Sequence, residues 1–288
     1  MKIIVNYLFF ILVFIISCEP LVTRFDDTMK LDTYTSKTIS SAPNRVDTLK
    51  FMTWNIRFGV GRTDWFGDCC GDRVIIPIGE VKTNLQKIAD FINETQPDIL
   101  FLQEIDVESK RTEYIDQVKW LLNHTYFNYG VYASMWEAQY VPSDGLGRIN
   151  TGNAILSRWK IKDAERIQLP LRNDQDNLTK YFYLRRNLLK SRIEIPCIDN
   201  FYALCVHMAA FSTDDTKQRQ LGRILDELND ISDEIVFLGG DFNLIPPGSD
   251  SVDFCHEDGC DEEKIHHGSP DDDDYHKEGS YFGNEIDW

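Results

Sequence analysis

The sequence lacks several features that would settle its class at once. No segment repeats with a period of about 20–50 residues, which excludes solenoids and propellers. No long basic stretch occurs; the densest is YLRRNLLKSR, with Arg185, Arg186, Lys190 and Arg192. The formal charge is −17, so the chain is a poor general binder of polyanions, although local fields outweigh totals. What is present is a globular composition, 42% hydrophobic and 12% aromatic. Its 288 residues suffice for one large α/β domain with a sizeable core, or two small ones.

The N-terminus stands apart. MKIIVNYLFFILVFIISC carries Lys2, then an apolar run from Ile3 to Ile16 broken only by Asn6, then Ser17 and Cys18. The run is short for a membrane span and fits a secretory signal over residues 1–17. The cysteine after a small residue resembles a bacterial lipobox, with Ile15 at the usual leucine position. That resemblance implies cleavage before Cys18, lipid on its sulfur, and an exported, membrane-anchored lipoprotein. A plain signal peptide or an uncleaved anchor is the alternative. Residues 18–47, rich in Thr, Ser and Asp and without clear periodicity, read as a tether.

Charge is unevenly spread. Residues 250–288 hold fourteen Asp and Glu against Lys264 and Lys277, a net of −12, and read at about 250–280 as an acidic surface insertion. Export permits disulfides among the cysteines other than Cys18, and Cys255–Cys260 can close a loop. The stretch CHEDGC falls short of a zinc ligand set, and we read it as structural.

Between these ends the pattern alternates. LKFMTWNIRFG reads as a strand, EVKTNLQKIADFINETQ as an amphipathic helix ended by Pro97, and DILFLQEID as a buried strand. A second helix follows, with Tyr114, Val118, Leu121 and Leu122 on one side. Shorter extended segments come next, and LLKSRIEI and FYALCVHMA form a hairpin around PCIDN. A third helix, capped by Thr213 or Asp214, turns Leu221, Ile224, Leu225 and Leu228 to the core. VFLGGDFN then reads as a last strand. Together these predict one mixed-sheet α/β domain over 48–288.

Four strands end in polar residues of one chemical kind: Asn55, Glu104, His207, and Asp241 with Asn243. Strand ends in such folds share an edge where sites form. Carboxylates and amide oxygens suit a hard cation such as Mg2+ or Mn2+. A histidine beside them suits a phosphate oxygen. Taken singly, each residue has a structural reading as a turn, cap or core group; taken together, they point to a site.

TWNIRFG, LQEID, TGNAILSR, CVHM and GGDFN, in this order, resemble the motifs of the endonuclease/exonuclease/phosphatase superfamily, the deoxyribonuclease I-like fold, over about residues 48–250. The resemblance implies an α/β (α+β) four-layer sandwich of two mixed β-sheets flanked by helices. It implies Glu104 as chief metal ligand, with Asn55 assisting. Asp241 orients water or contacts the metal, Asn243 bonds a phosphoryl oxygen, and His207 stabilises charge on phosphate. Asn153 supports a neighbour, and Arg185 and Arg186 contact phosphate or serve as strand-edge charges. The expected reaction is metal-assisted attack of water on a phosphate ester. The ester belongs to a lipid headgroup, a nucleic acid or a sugar phosphate. No protein partner is implied.

The family's closing Ser-Asp-His motif has no counterpart after Asn243. The later histidines, His256, His266, His267 and His276, lie in polar surroundings. The expectation is therefore a domain short of its C-terminal strands and, as given, close to inactive. The alternative is a non-catalytic surface lipoprotein that keeps the fold as a binding module.

Overall fold

A computed structural model describes residues 22–66, 71–141, 145–210 and 212–244. The acidic stretch, Cys18 and most of the other cysteines lie outside these residues. Two five-stranded sheets form the centre. The strands are β1 (Thr28–Lys30), β2 (Thr33–Thr35), β3 (Phe51–Asn55), β4 (Ile99–Asp106), β5 (Tyr129–Val141), β6 (Gly147–Ser157), β7 (Ile161–Gln168), β8 (Asn187–Ile193), β9 (Phe201–His207) and β10 (Ile235–Asp241). One sheet has the order β1-β7-β8-β9-β10 and the other β2-β5-β6-β4-β3. In each, the last pair is parallel, β10 on β9 and β3 on β4. The expected hairpin around PCIDN is the antiparallel pair β8–β9.

Four helices are described: α1 (Ile78–Thr95), α2 (Gln117–His124), α3 (Asn177–Phe182) and α4 (Thr216–Asn229). Helix α1 buries Val81, Leu85, Ile88, Ala89 and Ile92, a stripe at helical spacing, against Leu100 and Leu102 of β4. It stops where Gln96 turns left-handed before Pro97. Helix α2 starts at Asp116, whose side chain accepts the Lys119 N–H. Tyr114 lies before this helix with φ +59° and is exposed, not on the buried side expected of it. On α4, Ile224 is buried with Leu221 and Leu228 beside it, while Leu225 turns to solvent. Asp214 accepts the Thr216 N–H at its start. Helices α1 and α2 cover one sheet and α4 the other, giving the expected four layers.

The tether expectation needs correction. Within residues 18–47, β1 pairs with β7 and β2 with β5, so each sheet gains an edge strand from this segment. Ser36 donates to the Leu122 carbonyl, and Asn128 fixes Ser40 from both sides. Three-residue strands carry too little periodicity to be read locally; their partners create them.

Alternation along the strands decides what faces the cleft between the sheets. Ile99, Phe101, Phe201, Ala203, Cys205 and Phe237 share that interior with Phe51, whereas Leu100, Leu102, Leu204, Val206 and Leu238 face the helices. Phe51 stacks on Phe237 with ring centroids 3.9 Å apart, and Phe101 also packs on Phe237 at 5.3 Å. This aromatic layer floors the strand ends above it.

Candidate functional site

The same period of two places the polar strand ends. Asn55, His207 and Asp241 share the parity of Phe51, Phe201 and Phe237, so all three face the inter-sheet cleft. Glu104 has the opposite parity and, in a regular strand, would point with Leu102 into the helix-side core. A bulge prevents this. The register of β4 against β6 shifts between Leu102 and Ile105, and Glu104 itself takes φ +53°. Ile105 then returns to the helix side, and Glu104 turns to the cleft. Two sheets thus each deliver a polar pair: Asn55 with Glu104, and His207 with Asp241, which stand level with each other in the β9–β10 ladder.

The side chains meet. Asn55 Nδ2 donates to Asp241 Oδ2 at 2.9 Å, and its Oδ1 accepts the Arg57 N–H at 3.0 Å. His207 Nε2 lies 3.6 Å from Asp241 Oδ2 and 4.0 Å from Glu104 Oε1. The other Asp241 oxygen accepts the Asn243 N–H at 3.0 Å. Asn243 sits left-handed at φ +51°, which turns its side chain onto the Met208 carbonyl at 2.9 Å. Lys217 Nζ holds the Asn243 carbonyl. Asn243 therefore fixes Asp241 and the ends of β9 and β10, its amide nitrogen donating to the Met208 carbonyl. Likewise Asn55 meets Asp241 as a donor.

Gly240 belongs to the same construction. A Cβ there would lie 2.0 Å from the Val206 carbonyl oxygen, and φ is +154°. The close approach that this glycine permits is to the neighbouring strand β9.

Burial sets the electrostatics. The Glu104 pKa is raised, first by burial, against the lowering effect of its Asn55 hydrogen bond and of Arg186 and Arg111. His207 is 2% exposed, and burial and then Arg186 hold its pKa well below the usual histidine value. It is therefore neutral at neutral pH, and its approach to the two carboxylates is not an ion pair. Its Nδ1 has no hydrogen-bond partner among the described residues. Arg186 is buried; its Nη1 donates to the Met135 sulfur, and its Nε has no partner among the described residues. Burial lowers its pKa, while Glu104 and Asp241 draw on its charge.

Of the residues singled out in the sequence, Arg185 turns the other way and bonds the Tyr183 and Tyr181 carbonyls. Asn153 is fully buried and donates to Asn187 Oδ1 at 3.2 Å, and Asn187 donates to the Ser134 carbonyl at 3.0 Å. Sequence reasoning missed Asn187, which stands at the head of β8 on the cleft face. It also missed Arg111, whose pair with Asp106 at 2.7 Å is buried behind Glu104. A polar residue at the start of an apolar strand was the available signal for Asn187.

Among the described residues no three His, Cys, Asp or Glu side chains form a metal cage. Glu104 and Asp241 nevertheless offer carboxylate oxygens, about a quarter exposed, at one cleft mouth. That donor set fits Mg2+, which keeps several waters and needs only one or two carboxylates.

A model of the Endonuclease/Exonuclease/phosphatase family matches residues 52–288. No curated protein sequence matches the chain. Among solved structures, an endonuclease/exonuclease/phosphatase from Beutenbergia cavernae DSM 12333 is 20% identical, with a TM-score of 0.49, over 70% of this chain and 49% of that one. The present chain thus spans about half the length of that protein. A functionally unknown conserved protein from Enterococcus faecalis V583 is 20% identical, with a TM-score of 0.46, over 70% and 69% of the two chains. ANGEL2, a 2',3'-cyclic phosphatase, is 17% identical, with a TM-score of 0.47, over 80% and 60%.

Proposed function

The chain belongs to the endonuclease/exonuclease/phosphatase family, and from that premise we propose that it is a divalent-metal-dependent phosphoesterase, exported and held at a membrane by lipid on Cys18. The observation that carries this reading is the convergence of Asn55 and Glu104 from one sheet with His207 and Asp241 from the other, with Arg186 behind them.

Glu104 and Asp241 are the residues that would hold Mg2+ or Mn2+. When bound, the cation neutralises charge on the phosphate oxygens and acidifies water. Asn55 and the Asn243 backbone each bond one oxygen of Asp241, so that carboxylate is fixed before substrate arrives. Neutral His207 carries one N–H, available to a phosphoryl oxygen without an added charge. Arg186 contributes a buried positive field to the same place. The substrate is a phosphate ester of a lipid headgroup, a nucleic acid or a sugar.

Thermal melting tests the cation. Mg2+ raises the melting temperature of the wild type and leaves Glu104→Ala unmoved; equal shifts in both would remove the site. Chromogenic mono- and diesters, sphingomyelin and DNA then form the substrate panel, assayed with any coding sequence downstream of Trp288 included. Labelling with a radioactive fatty acid, lost in Cys18→Ala, tests the anchor.

A further inference from the structure

A pocket of about 380 Å3 lies between the chain leading into β1, the end of β7 and helix α3. Arg24, Lys180 and Arg185 line it with Phe25, Asn177 and Tyr181, and its lining includes no Asp or Glu. None of these three cations forms an ion pair among the described residues. Arg185 is committed to two backbone carbonyls. Behind Phe25 lies a fourth cation, Arg166, only 1% exposed, its guanidinium 4.0 Å from the ring centre. Its Nε donates to the Ser134 carbonyl, and its Nη2 to Gln168 Oε1 and the Arg185 carbonyl. Among the described residues its Nη1 has no hydrogen-bond partner and no carboxylate pairs with it.

Such a cluster is costly in itself. Buried cations are normally paired with a counter-charge. Burial and then Arg185 push the Arg166 pKa down to about 10, and burial and then Arg24 lower that of Arg185. The chain as a whole carries −17, so this concentration of unpaired positive charge runs against its general balance. An anion with several acceptor oxygens is what would relieve it.

The position of the pocket narrows the occupant. Gln168, which lines it, pairs in register with Asn187 of β8, and Leu188 pairs with Val206 of β9. Asn187 therefore stands level with His207. The pocket and the cleft open at the same end of one sheet, two strand spacings apart, about 10 Å. We propose that this pocket is a phosphate-binding subsite, taking a second phosphate group of a substrate whose scissile phosphate lies at His207. The pocket's affinity for phosphate stands on its own lining; the link to a substrate rests on the hydrolytic reading.

The test has two arms. Inorganic phosphate is titrated into the full chain in EDTA at low ionic strength, with heat as the readout. The Arg24→Glu/Lys180→Glu variant should bind at least roughly tenfold more weakly than the wild type. Glu104→Ala should bind as the wild type does. Equal affinity in the double variant, or loss in Glu104→Ala alone, overturns the subsite. Arg24 is exposed and Lys180 half-buried, so both changes should be tolerated. Should the double variant not fold, Lys180→Gln, with an expected weakening of about threefold, takes its place. In the second arm, an aryl bisphosphate and its monophosphate are compared as substrates. The double variant should raise KM for the bisphosphate alone, with kcat unchanged. An equal KM for the two compounds in the wild type overturns the placement. Turnover of neither compound, with Mg2+ and any coding sequence downstream of Trp288 included, overturns the hydrolytic reading, while the phosphate titration still decides the pocket.

Discussion

Gly240→Ala should damage both the fold and the site, and Gly239→Ala should not. At Gly240 an added Cβ meets the Val206 carbonyl oxygen at 2.0 Å and the Val206 nitrogen at 2.8 Å. Both are backbone atoms of β9, so no side chain can step aside. The β9–β10 pair must open by roughly an ångström, which weakens ladder hydrogen bonds worth about 1 kcal/mol each. Overpacking adds about 1–3 kcal/mol, and alanine at φ +154° adds backbone strain of about 1–3 kcal/mol. A loss of about 3–5 kcal/mol is expected, a large share of the stability of an ordinary domain. At Gly239 the nearest atom is Phe237 Cε1 at 3.2 Å, a ring that can shift by tenths of an ångström. Less than about 1 kcal/mol is expected there. Urea denaturation of the two variants measures the contrast, and Mg2+-induced melting shifts report whether Asp241 keeps its place beside His207. Similar midpoints for the two variants would refute the reasoning, since it rests on which backbone stands opposite.

Three further outcomes follow from particular contacts. Arg111→Ala leaves Asp106 buried without its cation, and should lose about 3–5 kcal/mol in urea; a loss below about 1 kcal/mol would show that the pair is dispensable. Burial pushes the Cys205 thiol up to about 12 from 9.0. A raised folded pKa means that the unfolded chain releases its proton first, so stability falls as pH rises from about 9 towards 12. Cys205→Ala should flatten that slope, and parallel slopes would count against it. Asn153→Ala removes the donor to Asn187 Oδ1 in a fully buried position and should cost about 1–3 kcal/mol; an unchanged urea midpoint would mean that Asn187 finds another partner.

The site was legible to the extent that it obeys a local period. Asn55, His207 and Asp241 follow alternating apolar residues at the ends of strands, and their facing could be counted from the aromatic residues behind them. Glu104 was identified by its neighbours in LQEID, but its orientation was not, because the bulge arises in pairing with β6. The same limit explains the edge strands at Thr28–Lys30 and Thr33–Thr35, which exist only against β7 and β5. Asn243 was expected to bond a phosphoryl oxygen from the resemblance carried by GGDFN. Its left-handed backbone, a conformation that Asn tolerates, brings its amide nitrogen onto the Met208 carbonyl, a contact that the motif does not reveal. Leu225 continued an apolar pattern that its helix does not bury.

The assembled cleft carries unfavourable terms that its own residues do not cancel. Glu104 occupies a left-handed backbone position, and burial disfavours its charged form. His207 is buried and neutral with one ring nitrogen unpartnered, and Arg186 is buried without an ion pair among the described residues. A core selected for stability alone would replace these groups with apolar ones, at little cost or some gain. The site also holds both signs of charge: the carboxylates of Glu104 and Asp241 approach His207, and the Arg186 guanidinium lies within electrostatic reach of all three. A cation relieves the carboxylates and a phosphate oxygen the guanidinium. A protein partner docked over the cleft would need to bring both charges in one place. This polarity, more than the number of conserved-looking motifs, favours a phosphate ester handled with a metal over a binding module that merely retains the fold.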